Sequence, residues 1–242
     1  MKDQLLLKYL RKCIQEYDLI NDGDKIALGI SGGKDSMLLA TGLSMLQRFY
    51  PQHFTLVGIT VDPGFGADYS PAAEYLESLG IPLIIEKTDI AEIVFEARKE
   101  AHPCSLCANM RRAALTAAAE RENCGKLALG HHKDDYLSTL MLSLVYEGKF
   151  YTFAPKTDYE DRRISIIRPL LYVPEGAIES YTAEHHIPVI ENPCPADKET
   201  TRAEMSALIT ELKKRYPEFK DRLLHAVETS DIPDWVNARK KG

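Results

Sequence analysis

No apolar run in this 242-residue chain reaches the ~18 residues that a membrane-spanning helix needs. Nor does Met1-Lys2-Asp3-Gln4 open a signal peptide, because Leu5-Leu6-Leu7 is broken at once by Lys8. The expectation is a cytoplasmic protein with no membrane partner. A basic excess is also missing: 30 Lys and Arg face 36 Asp and Glu, for a net charge of −6. That excludes a uniformly basic nucleic-acid binder and leaves room only for a local basic patch. Internal repeats and low-complexity segments are absent. The five cysteines are an odd number, so they cannot all pair with one another. In a cytosolic chain, clustered cysteines point to metal or redox chemistry more than to disulfides. What is present in quantity is apolar residues, at 45 %, enough for one large domain or a domain with an appendage.

The most informative segment is Ser31-Gly32-Gly33-Lys34-Asp35-Ser36. An apolar run, Lys25 to Ile30, precedes it and reads as a buried strand. Met37-Leu38-Leu39-Ala40 follows and reads as a helix. Strand, glycine turn and helix together make a phosphate cradle, in which backbone N–H groups converge at a helix N-terminus. Lys34 adds a mobile cation. The segment is not a Walker A loop, since Asp35 stands where that motif needs Ser or Thr after Gly-Lys, and it is not G-x-G-x-x-G. It resembles the PP-loop of the ATP pyrophosphatase superfamily, whose members break ATP between the α and β phosphates and adenylate a substrate oxygen.

Along the chain, Leu5, Leu6, Tyr9, Leu10, Cys13, Ile14 and Tyr17 recur at helical spacing and predict an opening helix, ended by Asn21-Asp22-Gly23-Asp24. Further strands are expected at Phe54 to Val61, Ile81 to Ile85, Leu127 to Leu129 and Ile164 to Ile167. Helices are expected from Ser70, as N-cap, to Gly80, from Asp89 to Lys99, from Cys107 to about Asn123, and from Lys133 to about Tyr146. After Pro174 the pattern is mainly helical, and Asn237 to Gly242 reads as a frayed end. The alternation predicts an α/β fold, a parallel sheet with helices on both faces. Ligands of such sheets sit at the carboxyl ends of the strands. The PP-loop, Asp62 and Gly130-His131-His132-Lys133-Asp134-Asp135 all follow predicted strand ends. The chain divides into an N-terminal helix (1–22), the α/β core (23–190), and a third-cysteine loop with C-terminal helices (191–242).

Cys104 and Cys107 form a C-x-x-C pair at a helix start, where thiol pKa values fall. Alone, such a pair suits a redox couple, half of a zinc site, or chance, and no second C-x-x-C completes a zinc set. Cys13 fits the apolar stripe of the first helix, and Cys124 looks structural. Cys194 sits in a proline-bracketed loop, Asn192-Pro193-Cys194-Pro195, and is expected to meet Cys104 and Cys107 in space. Iron–sulfur clusters are held by thiolates, commonly four, so three would leave one iron with an open position.

Taken in order, these segments resemble the tRNA 2-thiocytidine synthetases, a branch of the PP-loop tRNA-thiolation enzymes. The resemblance runs from about Lys25 to about Ala226. It rests on Ser31 to Ser36, Val61-Asp62, Cys104-Ser105-Leu106-Cys107 with Arg111-Arg112, Leu129 to Asp135, Arg168-Pro169-Leu170 and Pro193-Cys194. It implies a HUP-type, Rossmann-like core and a homodimer. It also implies an ATP- and Mg²⁺-dependent sulfurtransferase acting on cytidine 32 of the tRNA anticodon loop, with a [4Fe-4S] cluster on Cys104, Cys107 and Cys194. Sulfur would come from sulfide or a cysteine desulfurase. The nucleotide would contact Ser31, Gly32, Gly33, Lys34, Asp35, Ser36, Val61, Asp62, Gly130 and His131. Lys34, Asp35 and Asp135 are the catalytic candidates, with Asp35 on Mg²⁺. Arg111, Arg112, Lys156, Arg162, Arg163, Arg168 and Arg202 are the candidate RNA contacts, with Arg111 and Arg112 foremost because they lie one helical turn from Cys107. Tyr151 and Phe153 are equally explained by base stacking and by burial. One departure stands out: the family's Pro-Cys-Asn-Leu-Cys is here Pro193-Cys194-Pro195-Ala196-Asp197, so Asp197 replaces a second thiol.

Four other readings compete. A lysidine synthetase adenylates the same C2 position of a different cytidine but needs no cysteines. A uridine thiolase of the archaeal type carries extra C-x-x-C zinc pairs. A PP-loop enzyme could act on a small molecule. A non-catalytic ATP-binding cluster sensor would release no pyrophosphate.

Overall fold

The computed structural model describes residues 1–97, 103–159, 163–190, 194 and 201–230, without the side chains of Glu96, Arg202 and Ala203. Lys99, Arg162, Asn192, Pro193, Pro195, Ala196, Asp197 and the tail from Asn237 lie outside the described residues, as does the Arg202 side chain.

Six strands form one sheet in the order β3-β2-β1-β4-β6-β5. They are β1 (Asp24–Gly29), β2 (Phe54–Asp62), β3 (Leu83–Lys87), β4 (Lys126–Ala128), β5 (Lys156–Asp158) and β6 (Ser165–Ile167). All neighbours pair parallel except β5, which runs antiparallel to β6 at the edge. In the centre, Leu28 lies beside Gly58 of β2 and Ala128 of β4. The helices are α1 (Asp3–Glu16), α2 (Lys34–Gln47), α3 (Ser70–Ser78), α4 (Pro103–Arg121), α5 (Lys133–Leu142), α6 (Glu175–Glu184), α7 (Thr201–Arg215) and α8 (Phe219–Thr229). This is the parallel α/β architecture expected.

Strand alternation sends side chains to two cores. Ile26 and Leu28 join a large cluster with Leu6, Leu10, Leu38, Leu137, Ile178 and Val227. Ala27, between them, joins Val57, Ile59, Ala118, Ala119 and Leu127 on the other face. Both faces of the central strands are therefore dry, which is why they read as continuous apolar runs. Helices α1 and α8 contribute to the same core as the PP-loop helix α2.

Four local expectations change. The turn before α3 is capped by Asp68, whose Oδ1 accepts from Ser70 N–H at 2.9 Å, so Ser70 is already helical and not the cap. The strand placed at Ile81 to Ile85 begins two residues later and ends at Lys87. The helix expected from Asp89 is a wide π-helical turn at Glu92–Ala97, and the one expected from Lys133 to about Tyr146 is α5 followed by a second such turn at Ser143–Glu147. The antiparallel β5 carried no sequence signal, since Lys156-Thr157-Asp158 is short, polar and at an edge. No described helix is long and apolar enough to cross a membrane.

Candidate functional site

The strand order reverses at β1, which has β2 on one side and β4 on the other. Loops leaving β1 and β4 diverge there and open a crevice at the carboxyl edge, where open α/β sheets bind ligands. The PP-loop leaves β1 and the Gly130–Asp135 segment leaves β4. They approach so closely that a Cβ on Gly130 would stand 2.9 Å from the Asp35 carbonyl carbon and 3.0 Å from the Ser36 nitrogen. Only glycine fits at that position.

The PP-loop is braced from within. Ser36 Oγ donates to Gly33 O at 2.9 Å and receives Ser31 N–H at 3.2 Å. Gly33 N–H donates to Ser31 Oγ at 3.3 Å, a long bond that leaves this amide only weakly committed. Behind the loop, the buried Thr60 hydroxyl donates to Ile30 O at 2.9 Å. Gly33 is the N-cap of α2, so the helix dipole adds positive potential at the loop.

Lys34 reaches Glu175 Oε1 at 3.1 Å and Asp35 Oδ1 at 3.5 Å. Burial works to lower its pKa, but Asp35, Glu175 and Glu179 outweigh that and raise it. The ammonium therefore stays charged at neutral pH. Asp35 moves up as well. Burial disfavours its charge more than His132 and Lys34 favour it, and Asp135 and Glu175 add repulsion. Asp35 Oδ1 is buried without a hydrogen-bond partner among the described residues. A buried carboxylate oxygen in that condition suits a cation bound with phosphates.

His132 organises the second loop. It is 4 % exposed, and its Nδ1 accepts Asp134 N–H at 3.2 Å, capping α5. Accepting that bond places the ring proton on Nε2. Nε2 lies 3.4 Å from Asp135 Oδ2 and 3.7 Å from Asp35 Oδ1, so one imidazole edge gathers both candidate carboxylates. The two neighbouring aspartates separate clearly. Asp135 faces the crevice and also caps His132 N–H at 3.0 Å. Asp134 is turned away: it accepts Glu175 N–H at 2.8 Å and pairs with Lys220. Burial pushes its pKa up, but Lys220 and the Glu175 amide pull it below the usual carboxylate range. Its contribution to stability is present at neutral pH and fades on acidification.

The crevice has a volume of about 410 Å³. Ser31, Asp35 and Ser36 of the PP-loop, Gly130, His131 and Asp135 of the second loop, and Val61 of β2 line it. Arg111 and Arg112 of α4 also line it. Its size and its mix of apolar wall and few polar groups suit a nucleotide-sized ligand. Asp62, expected at the nucleotide, is not among the lining residues, and its Oδ1 caps Gly64 N–H at 2.9 Å. A larger cavity of about 630 Å³ lies at Tyr216, Phe219 and Leu223, and none of the site residues lines it.

Cys104 is exposed, and Cys107 and Cys194 are partly buried. Burial raises the Cys107 thiol, Arg111 pulls it down, and the Cys194 and Cys104 sulfurs push it up. Both Cys194 and Cys104 thus lie within electrostatic reach of the Cys107 thiol. Among the described residues, no three His, Cys, Asp or Glu side chains converge closely enough to hold a single ion. A four-iron cluster takes each thiolate at a different iron, so a looser set of thiols with Arg111 near Cys107 fits it better than one zinc ion. Cys13 and Cys124 are buried elsewhere, with thiol pKa values raised chiefly by burial. Both match the structural reading.

Of the RNA candidates, Arg111 and Arg112 line the crevice, and Lys156 pairs with Asp158 at 3.4 Å on the edge strand. Arg168 departs from expectation. It is 7 % exposed, donates to Ala154 O at 2.6 Å and Thr157 Oγ1 at 3.0 Å, and stacks over Phe153. Its guanidinium clamps the β5–β6 edge and is not available to phosphate. Phe153 packs between His131 and Tyr136, the burial reading, whereas Tyr151 is exposed. Arg168→Ala should therefore cost about 2–4 kcal/mol of stability through unpaired acceptors and lost packing. That corresponds to a melting temperature lowered by roughly 5–12 °C. The salt dependence of tRNA binding should stay the same; a changed salt slope at unchanged melting temperature would contradict the assignment. Sequence reasoning missed Glu175 and Lys220. The acidic first turn of α6 after Pro174 was the one available signal for Glu175.

The chain matches the PP-loop domain family over residues 5–212. A tRNA-cytidine(32) 2-sulfurtransferase from Geotalea daltonii is 40% identical over 222 residues, which cover 89% of this chain and 87% of the relative. The Geobacter sulfurreducens protein of the same name is 38% identical, over 89% of this chain and 86% of its own. Among solved structures, the U34-tRNA thiolase NcsA from Methanococcus maripaludis, with its [4Fe-4S] cluster, superposes with a TM-score of 0.75 at 25% identity, covering 93% of this chain and 78% of that one. The NH3-dependent NAD synthetase from Campylobacter jejuni shares the fold, with a TM-score of 0.51 at 16% identity over 98% and 92% of the two chains. With identity of this level sustained along both sequences, the chain belongs to the PP-loop domain family and, within it, to the group of the tRNA-cytidine(32) 2-sulfurtransferases.

Proposed function

We propose that this chain is an ATP-dependent tRNA sulfurtransferase that adenylates the C2 oxygen of cytidine 32 and replaces it with sulfur. The observation that carries the reading is the shared wall of the crevice. The helix that begins with Cys104 and Cys107 also supplies Arg111 and Arg112 to the cavity formed by the PP-loop and by Gly130 to Asp135. ATP chemistry and sulfur chemistry thus meet on one helix.

The C2 oxygen of cytosine is a poor leaving group, and transfer of AMP onto it makes a good one. Amides of the PP-loop and the Lys34 ammonium take up negative charge on the departing pyrophosphate. To do so, Lys34 exchanges Glu175 for phosphate. Asp35 and Asp135, gathered by His132, would hold Mg²⁺, which prefers oxygen ligands shared with phosphates. Val61 and the apolar wall receive the adenosine. Arg111 and Arg112 bind phosphates flanking the flipped base, as recognition of single-stranded loops requires. A [4Fe-4S] cluster on Cys104, Cys107 and Cys194 would supply an open iron position for sulfur. Sulfide or a cysteine desulfurase would replenish that sulfur, and a homodimer in the cytoplasm completes the reading.

A uridine target is less well supported: the uridine thiolase is 25% identical, against 40% for the cytidine enzyme. The deciding experiment is anaerobic thiolation of tRNA by the cluster-loaded protein, with nucleoside analysis. 2-Thiocytidine is expected; 2-thiouridine, or pyrophosphate release without sulfur transfer, would refute the substrate assignment. Replacing Arg111 and Arg112 together by Ala should reduce the log–log salt slope of tRNA binding by about 0.7–0.9 per lost phosphate contact. A slope equal to that of the unaltered protein would remove them from the interface.

A further inference from the structure

We infer that Glu175 is a positioning residue for Lys34: it holds the ammonium while the cradle is empty and reclaims it when pyrophosphate leaves, and so sets how tightly the loop keeps its anion. That role rests on the proposed function, which places the departing phosphates at Ser31–Ser36.

Glu175 is placed by its backbone. It opens α6, and its N–H donates to Asp134 Oδ2 at 2.8 Å. Beside it, Lys133 N–H donates to Val173 O at 3.2 Å. Asp134 is held in turn by Lys220 of α8. These two bonds stitch the start of α6 to the start of α5, the helix whose Asp135 lines the crevice. The Glu175 carboxylate is directed at the PP-loop. Its Oε1 accepts Lys34 Nζ at 3.1 Å, and no other cation pairs with it among the described residues.

Lys34 is the first residue of α2, directly after the Gly33 N-cap. Its ammonium is a donor only, with nothing to offer a second cation. In the empty site Glu175 accepts from it, while Asp35 Oδ1 stands farther off at 3.5 Å. Glu175 is therefore the group that a phosphate must displace. The two side chains are 28 % and 42 % exposed, so the pair is weak enough to open. A competitor that ties up part of the ammonium weakens anion binding by the fraction it ties up. A loop that takes triphosphate and then gives up pyrophosphate needs a grip of intermediate strength, and a tethered carboxylate competing for Lys34 supplies it. Glu179 provides a matched comparison. It lies one turn along α6, is exposed, and acts on Lys34 through space without an ion pair to it among the described residues.

Inorganic pyrophosphate with Mg²⁺ is titrated into the full-length, cluster-free protein by calorimetry. Glu175→Gln keeps the size of the side chain, removes its charge and leaves the backbone bond to Asp134 untouched. It should bind pyrophosphate about fivefold more tightly than the unaltered protein. Glu179→Gln removes the same charge from the same helix and should change affinity by less than about twofold. The gain should vanish without its ammonium, so that Lys34→Met gains nothing when Glu175→Gln is added to it. A gain that survives the loss of Lys34, or that Glu179→Gln reproduces, would mean general repulsion of the anion and would overturn the role of Glu175. Unchanged or weaker binding in Glu175→Gln would overturn it too, and a lowered melting temperature alongside would make Glu175 structural. If neither the unaltered protein nor Glu175→Gln binds pyrophosphate or ATP, the cradle and the proposed function fall, and the role of Glu175 with them. If both bind with equal affinity, the proposed function stands and only that role falls.

Discussion

Cys194→Ala, reconstituted anaerobically with iron and sulfide, should lose the cluster absorbance and all transfer of sulfur to tRNA, yet still bind ATP. The same outcome is expected for Cys104→Ala and Cys107→Ala. The reason is separation of parts. The thiols stand on the start of α4 and on the segment after Ile190, whereas the phosphate cradle is built from β1, α2 and the loop after β4. Cys13→Ala and Cys124→Ala are the matched controls. Both thiols are buried and apolar in surroundings, so their loss should cost about 1–2 kcal/mol of stability and leave iron content intact. Iron retained in Cys194→Ala, or lost only in Cys124→Ala, would overturn the ligand assignment.

Asp35→Asn should slow pyrophosphate release by about 10²-fold or more without changing iron content. Asn keeps the shape and removes the charge that a phosphate-bound cation needs. The same substitution should raise thermal stability in Mg²⁺-free buffer at pH 7. The sign follows from the pKa. Burial raises the Asp35 carboxyl in the folded protein, so its ionised form opposes folding above that pKa and the cost disappears as pH falls through it. The melting-temperature difference between Asp35→Asn and the unaltered protein should thus shrink on acidification. A variant that is inactive and less stable at neutral pH would mean that Asp35 is structural. Stored strain of this kind is what a site tuned for function and not for stability carries.

The two loops that make the crevice were legible because each combines an apolar strand, a glycine turn and a helix start within about ten residues. Such local patterns survive folding unchanged. Contacts between distant parts of the chain were not legible. Lys34 and Glu175 are 141 positions apart, and Asp134 and Lys220 are 86 apart, and nothing near either residue announces its partner. Arg168 shows the opposite failure. An arginine in a turn reads as a surface cation, and only the three-dimensional position of Ala154, Thr157 and Phe153 makes it an interior clamp. Edge strand β5 was hidden because its three polar residues carry no alternation to read.

The pairs Lys220–Asp134 and Lys133–Asp221 cross between α5 and α8. Asp134 is the buried carboxylate beside the site, and its neutralising cation comes from the last described helix. During synthesis the chain emerges from its N-terminus, and the PP-loop, α4 and α5 are all made well before α8. Until α8 arrives, the start of α5 would hold an unpaired carboxylate at a position that the core is meant to bury, which disfavours the closed arrangement. A half-made chain therefore lacks the cation that neutralises this carboxylate, and the start of α5 settles into the core only when α8 is complete.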